Sequence, residues 1–203
     1  MNNDKKINII LILVAIITTA VLIYTLNDFF AFNNPNTMGV ANMAIGSFDE
    51  SIINNGMAEK ANIGKLGSQH IHADIKVYVN GKALNFASPK YYMKSSLLHL
   101  DDNQNLMDAS GVLHMHATSV PLWVFFKSIG MDFSKDCITL ENNEKLCNGE
   151  NKKIKFYVNG MVNNYFENYV FADNDKILFS YGNESGEALI SQIDSITDYA
   201  KKH

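Results

Sequence analysis

The chain predicts an α+β domain, mostly antiparallel β-sheet, carried behind one membrane-spanning helix. Three features lead there: an apolar run near the N-terminus, stretches of period-2 alternation that end in Asn-Gly pairs, and one short segment that is apolar almost all round. Strand and helix signals follow one another through short connections, an order that suits an α+β fold better than repeated βαβ units.

Residues 7–26 read INIILILVAIITTAVLIYTL. As a helix this stretch is about 30 Å long, the thickness of a bilayer's hydrocarbon core. Lys5 and Lys6 precede it, Asp28 follows it, and the next lysine is Lys60. Cytoplasmic flanks are the lysine-rich ones. Residues 1–6 are therefore expected to be a cytoplasmic tip, 7–26 the anchor of a single-pass cell-membrane protein, and everything beyond extracytoplasmic. The competing expectation is a cleaved signal peptide, whose apolar core is shorter and ends at a small-x-small site. Here Ala20 lies inside the run, and Phe29 spoils a cut after Ala31. Residues 27–69, rich in Asn, Gly, Ala, Ser and Met, read as a linker with a weak helical hint over 44–61. The ordered domain is expected over 70–203.

That domain opens on a strand. Ile71, Ala73, Ile75, Val77 and Val79 alternate with His70, His72, Asp74, Lys76 and Tyr78, the pattern of a strand with one buried face. Asn80-Gly81 supplies the left-handed dihedrals of a type I′ turn, and residues 83–86 return. The phrase Ile75-Lys-Val-Tyr-Val-Asn-Gly81 recurs as Ile154-Lys-Phe-Tyr-Val-Asn-Gly160. Internal duplication and two hairpins solving one turn problem both account for it. Residues 112–117 read as a further strand. Ser119 is then expected to cap a helix with Pro121 in its first turn, which runs through Leu122, Trp123, Val124, Phe125 and Phe126 and stops at Gly130. Being apolar nearly all round, it should be the core helix lying across the sheet. Residues 176–181 form another strand ended by Gly182, and Leu189, Ile193, Ile196 and Ala200 recur at the spacing of an amphipathic C-terminal helix. Together these elements suggest a β-grasp-like roll.

Composition narrows the partners. The chain contains no arginine and carries a formal net charge of −4. It thus lacks both the bidentate donors and the basic surface that nucleic acids select. No nucleic-acid partner is expected; the membrane is, through the anchor, together with a membrane-protein partner. The two cysteines, Cys137 and Cys147, flank a hairpin-like stretch around Glu141 to Glu144. Outside the cytoplasm such a pair closes into a structural disulfide. A thiol-exchange site normally needs C-x-x-C, which is absent. Asn183-Glu-Ser185 is a glycosylation sequon.

Five of the six histidines fall between His70 and His116, and four make two H-x-H pairs, His70-Ile71-His72 and His114-Met115-His116. On a strand, residues i and i+2 share a face. Each pair therefore presents two imidazoles on the side away from Ile71 and Met115. Neighbouring strands bring opposed side chains to about 5–7 Å, close enough for four imidazoles to meet one ion. His99, in Leu97-Leu-His-Leu100, is a fifth candidate. Asp74, Asp101 and Asp102 are candidate ligands or acceptors that orient the rings. Nitrogen donors suit Zn²⁺ in tetrahedral or Cu²⁺ in tetragonal geometry, so copper or zinc is the expected cofactor. Met115 points the other way and is not a copper ligand; Met107 is unplaced. The competing expectations are histidines with a purely structural role, or a proton-sensitive interface. For catalysis there is no serine or cysteine elbow, no phosphate-binding glycine loop and no dinucleotide fingerprint.

The strings HIHADIKVYVNG, LHMHAT before a Trp/Phe-rich helix, YVNG, and KILFSYGNES resemble a family of membrane-anchored extracytoplasmic H-x-H proteins, mainly of ammonia-oxidising archaea, with more distant bacterial relatives. The resemblance runs from His70 to about Ala200, and the H-x-H and Asn-Gly positions are its most specific marks. It implies an extracytoplasmic location and a shared fold, and no reaction. A disulfide-isomerase activity attached to some members would need the C-x-x-C this chain lacks. Sequence therefore leads to a tethered domain holding one transition metal through His70, His72, His114 and His116, with His99 as a further candidate. A non-catalytic interaction module, contacting its partner through Trp123 or the C-terminal helix, is the alternative, and a metal-dependent enzyme a third.

Overall fold

Strand β1, Ile71–Val79, is the spine of the domain, hydrogen-bonded along both edges. The computed structural model describes residues 62–101 and 110–203. The expected tip, anchor and most of the linker lie outside these residues, as do Asp102 and Met107. Among the described residues, no helix is long and apolar enough to cross a membrane.

Around β1 the chain lays down β2 (Lys82–Ala83), β3 (Leu98–Leu100), β4 (Gly111–Met115), helix α1 (Leu122–Ser128), β5 (Asp132–Phe133), β6 (Cys137–Thr139), β7 (Lys145–Cys147), β8 (Lys153–Val158), β9 (Met161–Val162), β10 (Asp175–Gly182) and helix α2 (Gly186–Asp194). The architecture is α+β. One sheet runs β3-β4-β1-β10-β8-β9, with β2 paired to β1, and a small sheet runs β5-β6-β7. The β1–β10 pairing is parallel, whereas the other strand pairings in both sheets are antiparallel.

Both Asn-Gly turns form as the sequence demands. Asn80 and Gly81 have φ of 50° and 76°, and Asn159 and Gly160 have 52° and 79°. Two consecutive positive values define the type I′ turn whose twist matches the flanking strands. The returning strands are short, two residues each. Cys137 and Cys147 face each other across β6 and β7 and are joined by a disulfide.

The apolar face of β1 carries the main core. Ala73, Ile75 and Val77 pack in one cluster with Leu113 and Met115 of β4 and with Phe125 and Phe126 of α1. Aromatic rings fill the space between sheet and helix: Phe126 lies 6.2 Å from Phe179, Phe179 4.5 Å from Phe133, and Phe86 5.8 Å from Phe125. Burying each such ring contributes roughly 2–3 kcal/mol. Helix α1 is the expected core helix, but its start differs. Pro121 is the N-cap and makes no side-chain cap bond, while Ser119 lies two residues upstream with φ of 60°. A backbone carbonyl serves in place of a hydroxyl at this end: the Leu122 N–H donates to the Tyr169 carbonyl at 2.9 Å. Gly130, at φ 76°, follows the last turn as expected.

The other face of β1 departs further from expectation. Asp74 and Lys76 are 1% and 5% exposed, because the end of the chain covers them. Helix α2 stops at Asp194 instead of running on through Ala200, and residues 199–202 form a separate 3-10 turn. Asp74 accepts from the Thr197 hydroxyl at 2.5 Å, the Tyr199 N–H at 2.9 Å and the Ala200 N–H at 3.0 Å. Lys76 donates to the Ser195 carbonyl at 2.7 Å, and the Tyr78 hydroxyl meets the Ser195 hydroxyl at 2.9 Å. Breaking the helix at Asp194 lets the backbone N–H groups of Tyr199 and Ala200 reach a buried carboxylate, where an unmet charge would be costly. The sheet is thus covered on both faces.

Candidate metal centre

The polar face of β1 continues past Asp74 to His72 and, just before the strand, His70. Register determines what lies beside them. His72 pairs with His114 of β4, and His114 pairs with His99 of β3. Three adjacent strands therefore carry a row of imidazoles, His72, His114 and His99, while Ile71 opposite Met115 sends the intervening side chains to the core. His70 and His116, each two residues along its own strand, make a second row above the first. Their ring centroids are 4.8 Å apart.

Other chain segments hold this corner in shape. The His72 N–H donates to Asp173 Oδ1 at 2.9 Å, and the His72 carbonyl accepts from Asn174 N–H at 2.7 Å. At the far end of β4, the His116 carbonyl accepts from Gly67 N–H at 2.6 Å and the Thr118 carbonyl from Gly64 N–H at 2.9 Å. Residues 64–67 thus border the site.

All five histidines singled out from sequence meet here. His70, His114 and His116 each offer a ring nitrogen, and the three atoms lie within 4.8 Å of one another. Around a tetrahedral zinc, with bonds of about 2.0–2.1 Å, nitrogens sit about 3.4 Å apart. Small side-chain rotations of roughly an ångström would gather the three rings onto one ion. The His72 ring is 4.5 Å from His114 and 4.8 Å from His70.

His99 is close but differently employed. Its Nδ1 is 2.7 Å from the Ser95 carbonyl and its Nε2 is 3.1 Å from Asp101 Oδ1. Both nitrogens face oxygen acceptors, so neither is turned toward an ion. Asp74 is fully engaged with residues 197–200 and takes no part. Asp101 joins the site as an acceptor: its second oxygen lies 3.3 Å from His114 Nδ1. The sixth histidine, His203, was not anticipated. Its ring lies 5.5 Å from His72 and 5.1 Å from His114, so all six imidazoles of the chain converge. Only its long separation from the others hid it; no local motif marks it.

His114 is the centre of this arrangement. It is 4% exposed, and its Nε2 is buried without a hydrogen-bond partner among the described residues. A neutral ring whose Nδ1 faces a carboxylate keeps its proton there and leaves a lone pair on Nε2. Carboxylate, histidine and open nitrogen in line is the arrangement that orients a metal-binding imidazole. Burial pushes the His114 pKa down to about 3, against the opposing pull of Asp101 and with help from His72, His99 and His203. Burial likewise lowers His72, aided by His70 and His203, and lowers His116, aided by His99 and His70. These three rings are therefore neutral at neutral pH, the form a metal requires.

Comparison with protein-family models, with curated proteins and with solved structures found no match to this chain. The class the fold and site define is thus read from the chain itself: an α+β domain with a convergent histidine cluster on one sheet face.

Proposed function

We propose that this chain is a membrane-anchored extracytoplasmic domain that binds one transition-metal ion, copper or zinc, through His70, His114 and His116, with His72 beside them. The observation that carries the reading is the buried Nε2 of His114, unpartnered among the described residues, backed by Asp101 and set beside the His70, His72 and His116 rings. Leaving a buried polar atom unmet costs about 1–3 kcal/mol, a cost that coordination of an ion removes. Among the described residues, the side chains of the cluster offer imidazole nitrogens and the Asp101 carboxylate, and Met115, the one sulfur in the H-x-H segments, is buried in the core. Such a donor set suits Zn²⁺ or Cu²⁺ better than Cu⁺, which prefers sulfur.

The surrounding fold is a β-grasp-like roll, a reading supported by the central parallel pairing of the first and last strands flanked by two hairpins. The anchor over 7–26 and the resemblance to membrane-anchored H-x-H proteins make the ion an extracytoplasmic one. Its role there is capture or delivery at the cell surface, or metal-dependent integrity of the domain.

The test uses the full chain, purified in detergent without a histidine tag. Dialysed at neutral pH against Zn²⁺ or Cu²⁺, it should retain close to one ion per chain by elemental analysis. Changing His114 and His116 together to Ala should abolish retention while leaving the circular dichroism spectrum unchanged. A wild-type protein that leaves dialysis metal-free would refute the reading. It would favour the second one, an interaction module, for which a specific observation exists: Met161, Val162 and Tyr165 expose 71, 66 and 70% of their surface along the β9 edge.

A further inference from the structure

We infer that His203 is an additional ligand of this ion, so that metal binding clamps the segment 195–203 onto the sheet. The inference rests on the metal reading above and adds a residue and a coupling to it. Three facts support it. First, the His203 ring is 5.1 Å from His114, closer than either His70 at 6.4 Å or His116 at 6.5 Å, both of which already offer nitrogens at ligand spacing. Second, the other candidate rings all rise from the sheet. His72 and His114 face each other across β1 and β4, and His70 and His116 lie two residues along from them. His203 comes instead from the covering layer, at the end of the turn that Asp74 of β1 holds.

Third, the segment is already tethered at the right place. Ala200 is 3% exposed, and its N–H and that of Tyr199 are held by Asp74, two residues along β1 from His72. The 3-10 turn over Tyr199–Lys202 then carries His203, whose N–H donates to the Ala200 carbonyl at 3.3 Å, back over the cluster. Asp74 fixes one end of a short strap, and the ion fixes the other. Lys201, Lys202 and His203 are exposed, so the distal end owes its position to few apolar contacts. A bond from His203 to the ion adds a further hold at this end.

The experiment compares the full-length wild type in detergent with His203→Ala and His114→Ala, using Zn²⁺ alone as the probe. Affinity is read by chelator competition, and amide hydrogen exchange is followed at Tyr199 and Ala200 with and without the ion. His203→Ala, an exposed change, should keep one ion per chain but bind it more weakly, by at least the ~10-fold that loss of a ligand's orienting partner costs. Zn²⁺ should slow exchange at Tyr199 and Ala200 by about 5-fold or more in the wild type, and not in His203→Ala. Unchanged affinity in His203→Ala, or Zn²⁺ protection that persists in it, overturns the inference and leaves the metal reading standing, provided His114→Ala loses the ion. A wild type that binds no Zn²⁺, or a His114→Ala protein that binds as tightly as wild type, removes both.

Discussion

Two groups of polar side chains sit side by side on the same face of β1, beneath the same covering segment, and they are completed in different ways. In the first, Asp74, Lys76 and Tyr78 find partners in Ser195, Thr197, Tyr199 and Ala200. In the second, the His72 and His114 rings meet edge to face, and the buried Nε2 of His114 has no hydrogen-bond partner among the described residues. Buried polarity that is fully matched within the chain serves the fold. Buried polarity left open where several donors converge marks a candidate ligand site.

The comparison breaks most sharply if the first group proves dispensable. Asp74→Ala should strip three hydrogen bonds from a buried acceptor and leave their donors unmet, costing about 3 kcal/mol or more in urea unfolding. A loss within error of zero would mean the covering segment is only loosely held. For the second group the pattern should invert. His114→Leu removes an unmatched polar atom at similar volume, so stability should change by less than about 1 kcal/mol. Zn²⁺ affinity, by contrast, should fall about 100-fold or more. Asp101→Asn keeps the shape and weakens the acceptor that orients His114; a drop of about 10-fold in Zn²⁺ affinity is expected by competition titration, with little change in unfolding.

Acidity sharpens the same contrast. Folded, metal-free His114 titrates at about 3, whereas the unfolded chain takes up that proton near 6.5. Above pH 6.5 neither state is protonated, and the folded state keeps its full stability. Between those values the unfolded state binds a proton that the folded state refuses, so stability falls as the pH drops. His72 and His116 act in the same direction. His114→Leu should flatten the slope of stability against pH over that window; an unaltered slope would show that His114 is not shielded.

Much of this site was legible before the fold. The i, i+2 rule put both H-x-H pairs on one face and sent Ile71 and Met115 to the core, as found. Asn80-Gly81 and Asn159-Gly160 marked their hairpins, and the run from Leu122 to Phe126 marked the core helix. What escaped was non-local. Alternation assigns a side chain to a face but says nothing about what covers that face, so Asp74 and Lys76 read as solvent-facing when they are buried. His203 belongs to no motif and reaches the cluster only through a turn anchored on Asp74. Which rings keep a nitrogen open also depended on the partners of each nitrogen. His99 resembles its neighbours in sequence, yet Ser95 and Asp101 occupy both of its nitrogens.

The parallel pairing of β1 with β10 sets Ala73 beside Asp175 and Val79 beside Tyr181. During synthesis, the strand that opens the domain therefore waits, with one edge bare, until nearly all of the chain has left the ribosome. Pairings so distant along the chain slow folding, and an unsatisfied strand edge is a template for aggregation. The histidines of β1 and the residues that cover them therefore become a single cluster only at that last closure.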